Sequence, residues 1–299
     1  MNKVIIDTDI GGDIDDVLAI ALAIRSPEIQ IEGITTVGIQ SDRRAKIASG
    51  LLQVNNLGHI PIAAGASIPL CGKWNYEEYP NQYGEEMKDL PYHSDLDGAD
   101  LMIRAVNESP GEITLIAIGA MTNLAIAITR SPEFCSKVKE IILMGGEYNG
   151  HYRECNIVSD PEAADIVFRS GIPITAAGLE VCLSLISDTD ATIDTLIGTG
   201  TEQSQFLAKL VKRWKAVGLN RPIIMFDAIP FGILIKRSMV STENKLVHVE
   251  TKGDHTRGMT YCMKPHFGEV PQCEPNIQVC IEVNHEALME LFAERTLQS

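Results

Sequence analysis

Apolar positions along this chain come in runs of two kinds, set apart by polar turns rich in glycine, asparagine and aspartate. Short, strongly apolar runs at 4–6, 29–38, 60–65, 113–119, 140–146, 172–181 and 276–283 read as buried strands. Longer stretches at 17–24, 43–54, 97–109, 120–130, 228–235 and 285–295 read as helices, and 188–217 reads as two more. Asp160, Pro161 and Glu162 mark another helix start, with an Asp cap followed by proline in the first turn. The alternation of the two kinds predicts an α/β fold whose mostly parallel open sheet is flanked by helices, in one domain spanning 1–299. Residues 66–98 break the rhythm. They hold Trp74, Tyr76, Tyr79, Tyr83, Tyr92 and His93 among turn formers, and a loop this long predicts a flap beside a site or a contact surface.

The sharpest feature is the junction between the first strand and the first helix. Asp7, Asp9, Asp13, Asp15 and Asp16 fall within ten positions, and Gly11 and Gly12 permit a tight turn among them. In open parallel sheets the ligand crevice lies at the carboxyl ends of the strands, which is where these acids stand. Crowded carboxylates repel one another and must take up protons or draw in a cation. An all-oxygen, flexible loop suits a hard divalent ion, calcium or magnesium. The competing account is a solvated acidic turn that favours a helix N-terminus.

DTDIGGDIDD resembles the N-terminal signature of the inosine/uridine-preferring nucleoside hydrolases, Asp-x-Asp-x-Gly-x-Asp-Asp opening a helix, with two extra residues before Asp15 and Asp16. The segment 154–168 resembles that family's Glu-Phe-Asn-x-x-x-Asp-Pro-Glu-Ala-Ala block, MTNLA around Thr122 its Leu-Thr-Asn-x-Ala segment, and TRGMT at 256–260 its Thr-Arg-Gly-x-Thr hairpin. The resemblance spans nearly the whole chain and implies a Rossmann-like sheet and calcium-dependent hydrolysis of N-ribosyl bonds. It implies Asp9 as general base and calcium ligand, and Asp16, Asp227 and the main-chain carbonyl of Thr122 as further ligands. Asp15, Glu154 and Asn156 would bind ribose hydroxyls, with Asp7 a buried supporting acid. Asn149 is the candidate for an Asn that precedes the Glu, and His93 for a pocket histidine. Homodimers or homotetramers are the implied assemblies. Three positions depart from the pattern: Phe226 stands for a His that protonates purine leaving groups, Cys155 for a Phe, and Ile39 for an Asn. The metal and ribose half is thus retained and the leaving-group half altered.

The remaining composition narrows the choice. A net charge of −15 and a pI near 4.9 argue against nucleic acid or an anionic membrane as partner. No signal-type segment is evident, and seven cysteines without a CxxC pair read as free thiols, so a cytoplasmic setting is expected. A phosphatase of the haloacid dehalogenase type also uses Asp-x-Asp after its first strand. It would carry Thr or Val two residues past the second Asp, where this chain has Gly11. A calcium-dependent ribose- or sugar-binding protein without hydrolysis, or a hydrolase of a different glycosyl compound, are the other readings the pocket changes leave open.

Overall fold

The computed structural model describes residues 1–218, 222–263 and 274–297. Its strands are β1 (Asn2–Thr8), β2 (Ile29–Thr36), β3 (Ile62–Ala64), β4 (Ile113–Ala117), β5 (Glu140–Met144), β6 (Ile174–Ala177), β7 (Ile186–Ser187), β8 (Ile223–Ile224), β9 (Val240–Lys245), β10 (Val247–Val249), β11 (Thr260–Cys262) and β12 (Ile277–Val283). Eight of them form one sheet in the order β3-β2-β1-β4-β5-β6-β12-β9. Every neighbouring pair is parallel except β12 with β9, which is antiparallel and closes one edge. The strand order reverses at β1, which lies between β2 and β4, so the loop that leaves β1 opens into the crevice between oppositely directed crossovers.

The chain builds this arrangement because its central strands are apolar on both faces. In β1 the five residues from Val4 to Thr8 are all buried, and helices cover the sheet on each side. The helix Asp15–Ile24 is itself buried over nearly its whole circumference and packs against the helix Ala228–Ile235. That packing places the acids at the start of the first helix beside Asp227, which immediately precedes the second. No helix among the described residues is long and apolar enough to cross a membrane.

Two differences from the pattern-based reading have physical causes. The expected strand 172–181 ends at Ala177, and Leu179–Cys182 turns helical. Its partner β5 runs into Gly145 and Gly146, and after Gly145 bonds to Ala177 (3.0 Å) the ladder gives way to a Leu179-to-Gly146 bond (2.9 Å) that bends the chain inward. Strands β9 and β10 carry mixed polar sequence and went unmarked by apolar runs. β9 is an edge strand whose outward residues are polar, as an unpaired edge requires.

Candidate active site

At the carboxyl ends of the central strands lies a cavity of about 200 Å³, lined by Asp9, Asp13, Asp15, Asp16, Tyr76, Glu78, Ile118, Met144, Glu154, Cys155, Asn156, Leu179, Phe226 and Asp227. Its size suits a sugar-sized polar group. A roomier cleft of about 490 Å³ at the opposite end of β2 has only Glu32 and His59 as titratable side chains, apart from the chain terminus, and holds no comparable cluster.

Asp15, Asp16 and Asp227 are each 3% exposed. One carboxylate oxygen from each lies within 4.8 Å of the others. Ligands on opposite sides of a calcium ion with bonds of about 2.4 Å stand that far apart, so the spacing fits a hard cation held by oxygen. Burial, followed by repulsion from neighbouring acids, holds all three well above the usual carboxylate range. Three carboxylates in this state need positive charge, as protons or as a metal. The capping account fails for Asp15 and Asp16: they are buried within the helix, and its N-cap is Ile14, with no side-chain cap. Thr8 Oγ1 donates to Asp16 Oδ1 and fixes that carboxylate from behind.

Asp9 lies beside this triad and keeps partial solvent access. Burial raises its pKa, the Arg44 guanidinium opposes the rise, and Asp13 adds to it. Asp7 sits one layer deeper at 1% exposure. Its Oδ1 accepts from Thr35 Oγ1 (2.7 Å) and Asn123 Nδ2 (2.8 Å), Oδ2 has no partner, and burial pushes the group up to about 7.

The opposite wall comes from the 154–156 segment. Glu154 is the N-cap of a short helix and accepts from the main-chain N–H of Asn156 (2.8 Å), Ile157 (3.1 Å) and Gly146 (2.9 Å). Burial still lifts it to about 7. Asn156 Nδ2 donates to Met144 O (3.1 Å), which turns its side chain along the cavity wall. Cys155 is exposed at the cavity rim, and desolvation together with the adjacent Glu154 pushes its thiol up to about 12, which disfavours the thiolate.

The structure brings Asp9, Asp15, Asp16, Asp227, Glu154 and Asn156 together and leaves two expected side chains, those of Asn149 and His93, outside the cavity. Thr122 is buried and bonds through its hydroxyl to Asp160 Oδ2 (2.7 Å), which leaves its main-chain carbonyl, the atom expected at the metal, uninvolved in that bond. Asn149 is exposed and accepts from Lys245 Nζ (3.2 Å), and His93 is exposed beside Asp95 (4.0 Å). Neither lines the cavity. The metal-competent grouping also differs from the one implied by resemblance, since Asp15 joins Asp16 and Asp227 in it and Asp9 does not.

Two contributors went unnoticed in the sequence. Glu78, from the long loop, enters the cavity and lies over the Gly12 turn, where a Cβ on Gly12 would stand 1.9 Å from the Glu78 carboxyl. Gly11 adopts φ +111°, and a Cβ there would meet Ile47 Cδ1 at 2.6 Å, so the turn needs both glycines. The loop is tied down at this point: Asn81 Nδ2 donates to Gly12 O (2.9 Å), and Gln82 Nε2 to Asp13 O (2.6 Å). Arg44 does the same from below. It is 1% exposed and donates to the carbonyls of Asp9, Ile10 (3.1 Å), Ile39 (3.0 Å) and Glu78 (2.5 Å). Its guanidinium thus binds the acidic turn, the β2 exit and the flap into one unit. Arg44→Met is expected to cost at least about 3 kcal/mol in a urea titration, because four carbonyls, one of them fully buried, lose a charged donor. Arg44→Lys should recover only part of that, lacking the planar fork.

The family model for inosine-uridine preferring nucleoside hydrolases matches residues 4–290. The chain is 33% identical to the pyrimidine-specific ribonucleoside hydrolase RihA of Salmonella arizonae, covering 98% of this chain and 97% of that one. It is 34% identical to uridine nucleosidase 1 of Arabidopsis thaliana, over 84% of this chain and 79% of the other. Among solved structures it superposes on a plant nucleoside hydrolase with a TM-score of 0.86 at 27% identity, covering 100% and 99% of the two chains. A purine-preferring ribonucleoside hydrolase from Gardnerella vaginalis gives 0.85 at 25%, covering 99% and 98%.

Proposed function

The chain belongs to the inosine-uridine preferring nucleoside hydrolase family, and from that premise we propose that it hydrolyses the N-glycosidic bond of ribonucleosides or related N-ribosides with calcium bound. The observation that carries this reading is the cavity itself, in which a buried carboxylate triad, a partly accessible Asp9 and the Glu154–Asn156 wall face one another.

The donor set fits a calcium ion, with Asp15, Asp16 and Asp227 holding it and Asp9 alongside. The ion, when bound, would acidify a water and orient the ribose diol. Asp9 then takes the proton of the attacking water as general base. Glu154 and Asn156 hydrogen-bond ribose hydroxyls, where binding energy is best directed to the oxocarbenium-like transition state. Tyr76 and Phe226 face the departing base, and Phe226 has no proton to give it. We read the enzyme as a cytoplasmic homodimer or homotetramer, which light scattering of the purified protein would test.

Reducing-sugar release from a panel of purine, pyrimidine and modified ribosides is the direct test, with calcium and after chelation. Release that chelator stops and calcium restores is the expected result. Calcium binding with no release from any riboside would favour instead a sugar-binding protein that keeps the ribose wall and lacks turnover.

A further inference from the structure

Resting on the hydrolase reading, we propose that Gln82 is a positioning residue for the reaction: anchored by Arg213, it holds the backbone of the acidic turn so that the side chains of Asp9 and Asp13 reach the cavity. The observation is a run of main-chain carbonyls that all find donors on the same side. Asp9 O and Ile10 O (3.1 Å) accept from Arg44. Gly11 O accepts from the main-chain N–H of Gln82 (3.1 Å). Gly12 O accepts from Asn81 Nδ2 (2.9 Å) and Gln82 Nε2 (3.3 Å), and Asp13 O from Gln82 Nε2 (2.6 Å). Five successive carbonyls are thus held by Arg44, Asn81 and Gln82, none of which lines the cavity, whereas Asp9 and Asp13 do. A peptide unit is planar, so a held carbonyl restrains the side chains on either side of it.

Gln82 supplies three bonds of this frame and is fully buried. Its own place is set by the helix Glu202–Ala216. From there Arg213 donates to Gln82 O (3.0 Å) and to Glu86 Oε1 (2.7 Å) in the same loop. Gln82 Oε1 has no partner among the described residues. A buried acceptor left unpaired costs stability, so the amide's contribution lies in what its donors hold. The turn has particular need of such a frame. It carries two residues more than the signature it resembles, and Gly11 (φ +111°) and Gly12 leave its backbone many conformations unless outside donors select one. The carboxylate triad stands apart from the frame. Asp15 and Asp16 begin a helix that packs against the helix Ala228–Ile235, and Asp227 immediately precedes the latter. Loss of the Gln82 donors should therefore misplace Asp9 and leave the metal ligands where they are.

The test is Gln82→Met, which keeps the length of the side chain and removes its donors. It uses the calcium-loaded full chain and the riboside that wild type hydrolyses fastest. kcat should fall about tenfold or more, with KM moving less, because a small displacement of a reacting group is enough for that loss. Calcium affinity, measured by calorimetry, should stay within about threefold of wild type, since the triad is undisturbed. Arg213→Met should lower kcat by about threefold through the loss of the Gln82 anchor. Lys209→Met should leave kcat unchanged, because Lys209 pairs with Glu86 as Arg213 does but makes no bond to Gln82. A folded Gln82→Met protein with kcat within about threefold of wild type overturns this inference and leaves the hydrolase reading standing. A loss of kcat matched by an equal loss of calcium affinity also overturns it, since Gln82 then acts on the metal site alone. Should Gln82→Met fail to fold, equal kcat in Arg213→Met and Lys209→Met overturns it instead. No hydrolysis of any riboside by calcium-loaded wild type overturns both readings.

Discussion

Replacing Asp9 by Asn or Ala is expected to lower riboside turnover by about 10³-fold while leaving the protein folded. The expectation rests on how Asp9 differs from its neighbours. Asp15, Asp16 and Asp227 are nearly sealed, whereas Asp9 keeps partial access to the cavity and so to a water. Its main-chain carbonyl is anchored by Arg44, which fixes the backbone without occupying the carboxylate. Its side chain is positioned by a hydrogen bond with Asp16 and still reaches the cavity, where it can accept a proton. Because that anchoring runs through the carbonyl, Asp9→Ala keeps it, and circular dichroism and the melting temperature should change little. kcat should carry the loss, with KM moving less, since a proton acceptor acts in the transition state. Turnover within tenfold of wild type would move the general-base role to another carboxylate of the cavity, with Asp13 or Glu78 next in line.

Much of this site was legible in the sequence because its acids are local. Five of them occupy one strand–turn–helix junction, and the Glu154–Asn156 wall lies in a single short block. Asp227 follows a short apolar run and begins a helix, and it arrives where the alternation of strand and helix would put it. What could not be read was the contribution of the long loop. Glu78 lies in a run with Glu77 that looks like any solvated acidic stretch, and only the tertiary bonds to Gly12 and Asp13 turn it inward. Arg44 follows Arg43 in the same way, one turned into the core and the other left outside. His93 misled for the converse reason: its place in sequence near 95–100 suggested a pocket, yet its main chain pairs with Ile62 (2.8 Å) and its ring stays in solvent. Asn149 is exposed and its side chain meets Lys245 instead of the cavity (3.2 Å). In the sheet, apolar runs located the buried strands, while β9 escaped because an edge strand has little apolar pattern to show.

Asp227→Asn should move stability and activity in opposite directions. In the metal-free protein the triad is held together against its own repulsion, with burial raising the pKa of each member. A carboxylate whose pKa is higher folded than unfolded binds more protons in the folded state. It therefore destabilises progressively as pH rises from the unfolded value near 4 through the folded one. Replacing one such group by a neutral amide removes its part of that cost. Asp227 does not cap the helix it precedes, so no structural bond of that kind is lost with the charge. The metal-free variant should thus melt above metal-free wild type by about 2–4 °C for each kcal/mol of relieved repulsion, and the gap should widen between pH 5 and pH 8. Calcium should reverse the ranking. Wild type gains stability by mass action, about 2.7 kcal/mol at a hundredfold excess over Kd, while the variant has lost a ligand and gains little. Its turnover should fall at least about 10²-fold, because the water and the ribose diol lose their common anchor. Differential scanning calorimetry with and without calcium at the two pH values measures all of this. A variant that melts lower than wild type without metal, yet still rises normally with calcium, would show that the cation sits elsewhere and that the triad's crowding is relieved by protons alone.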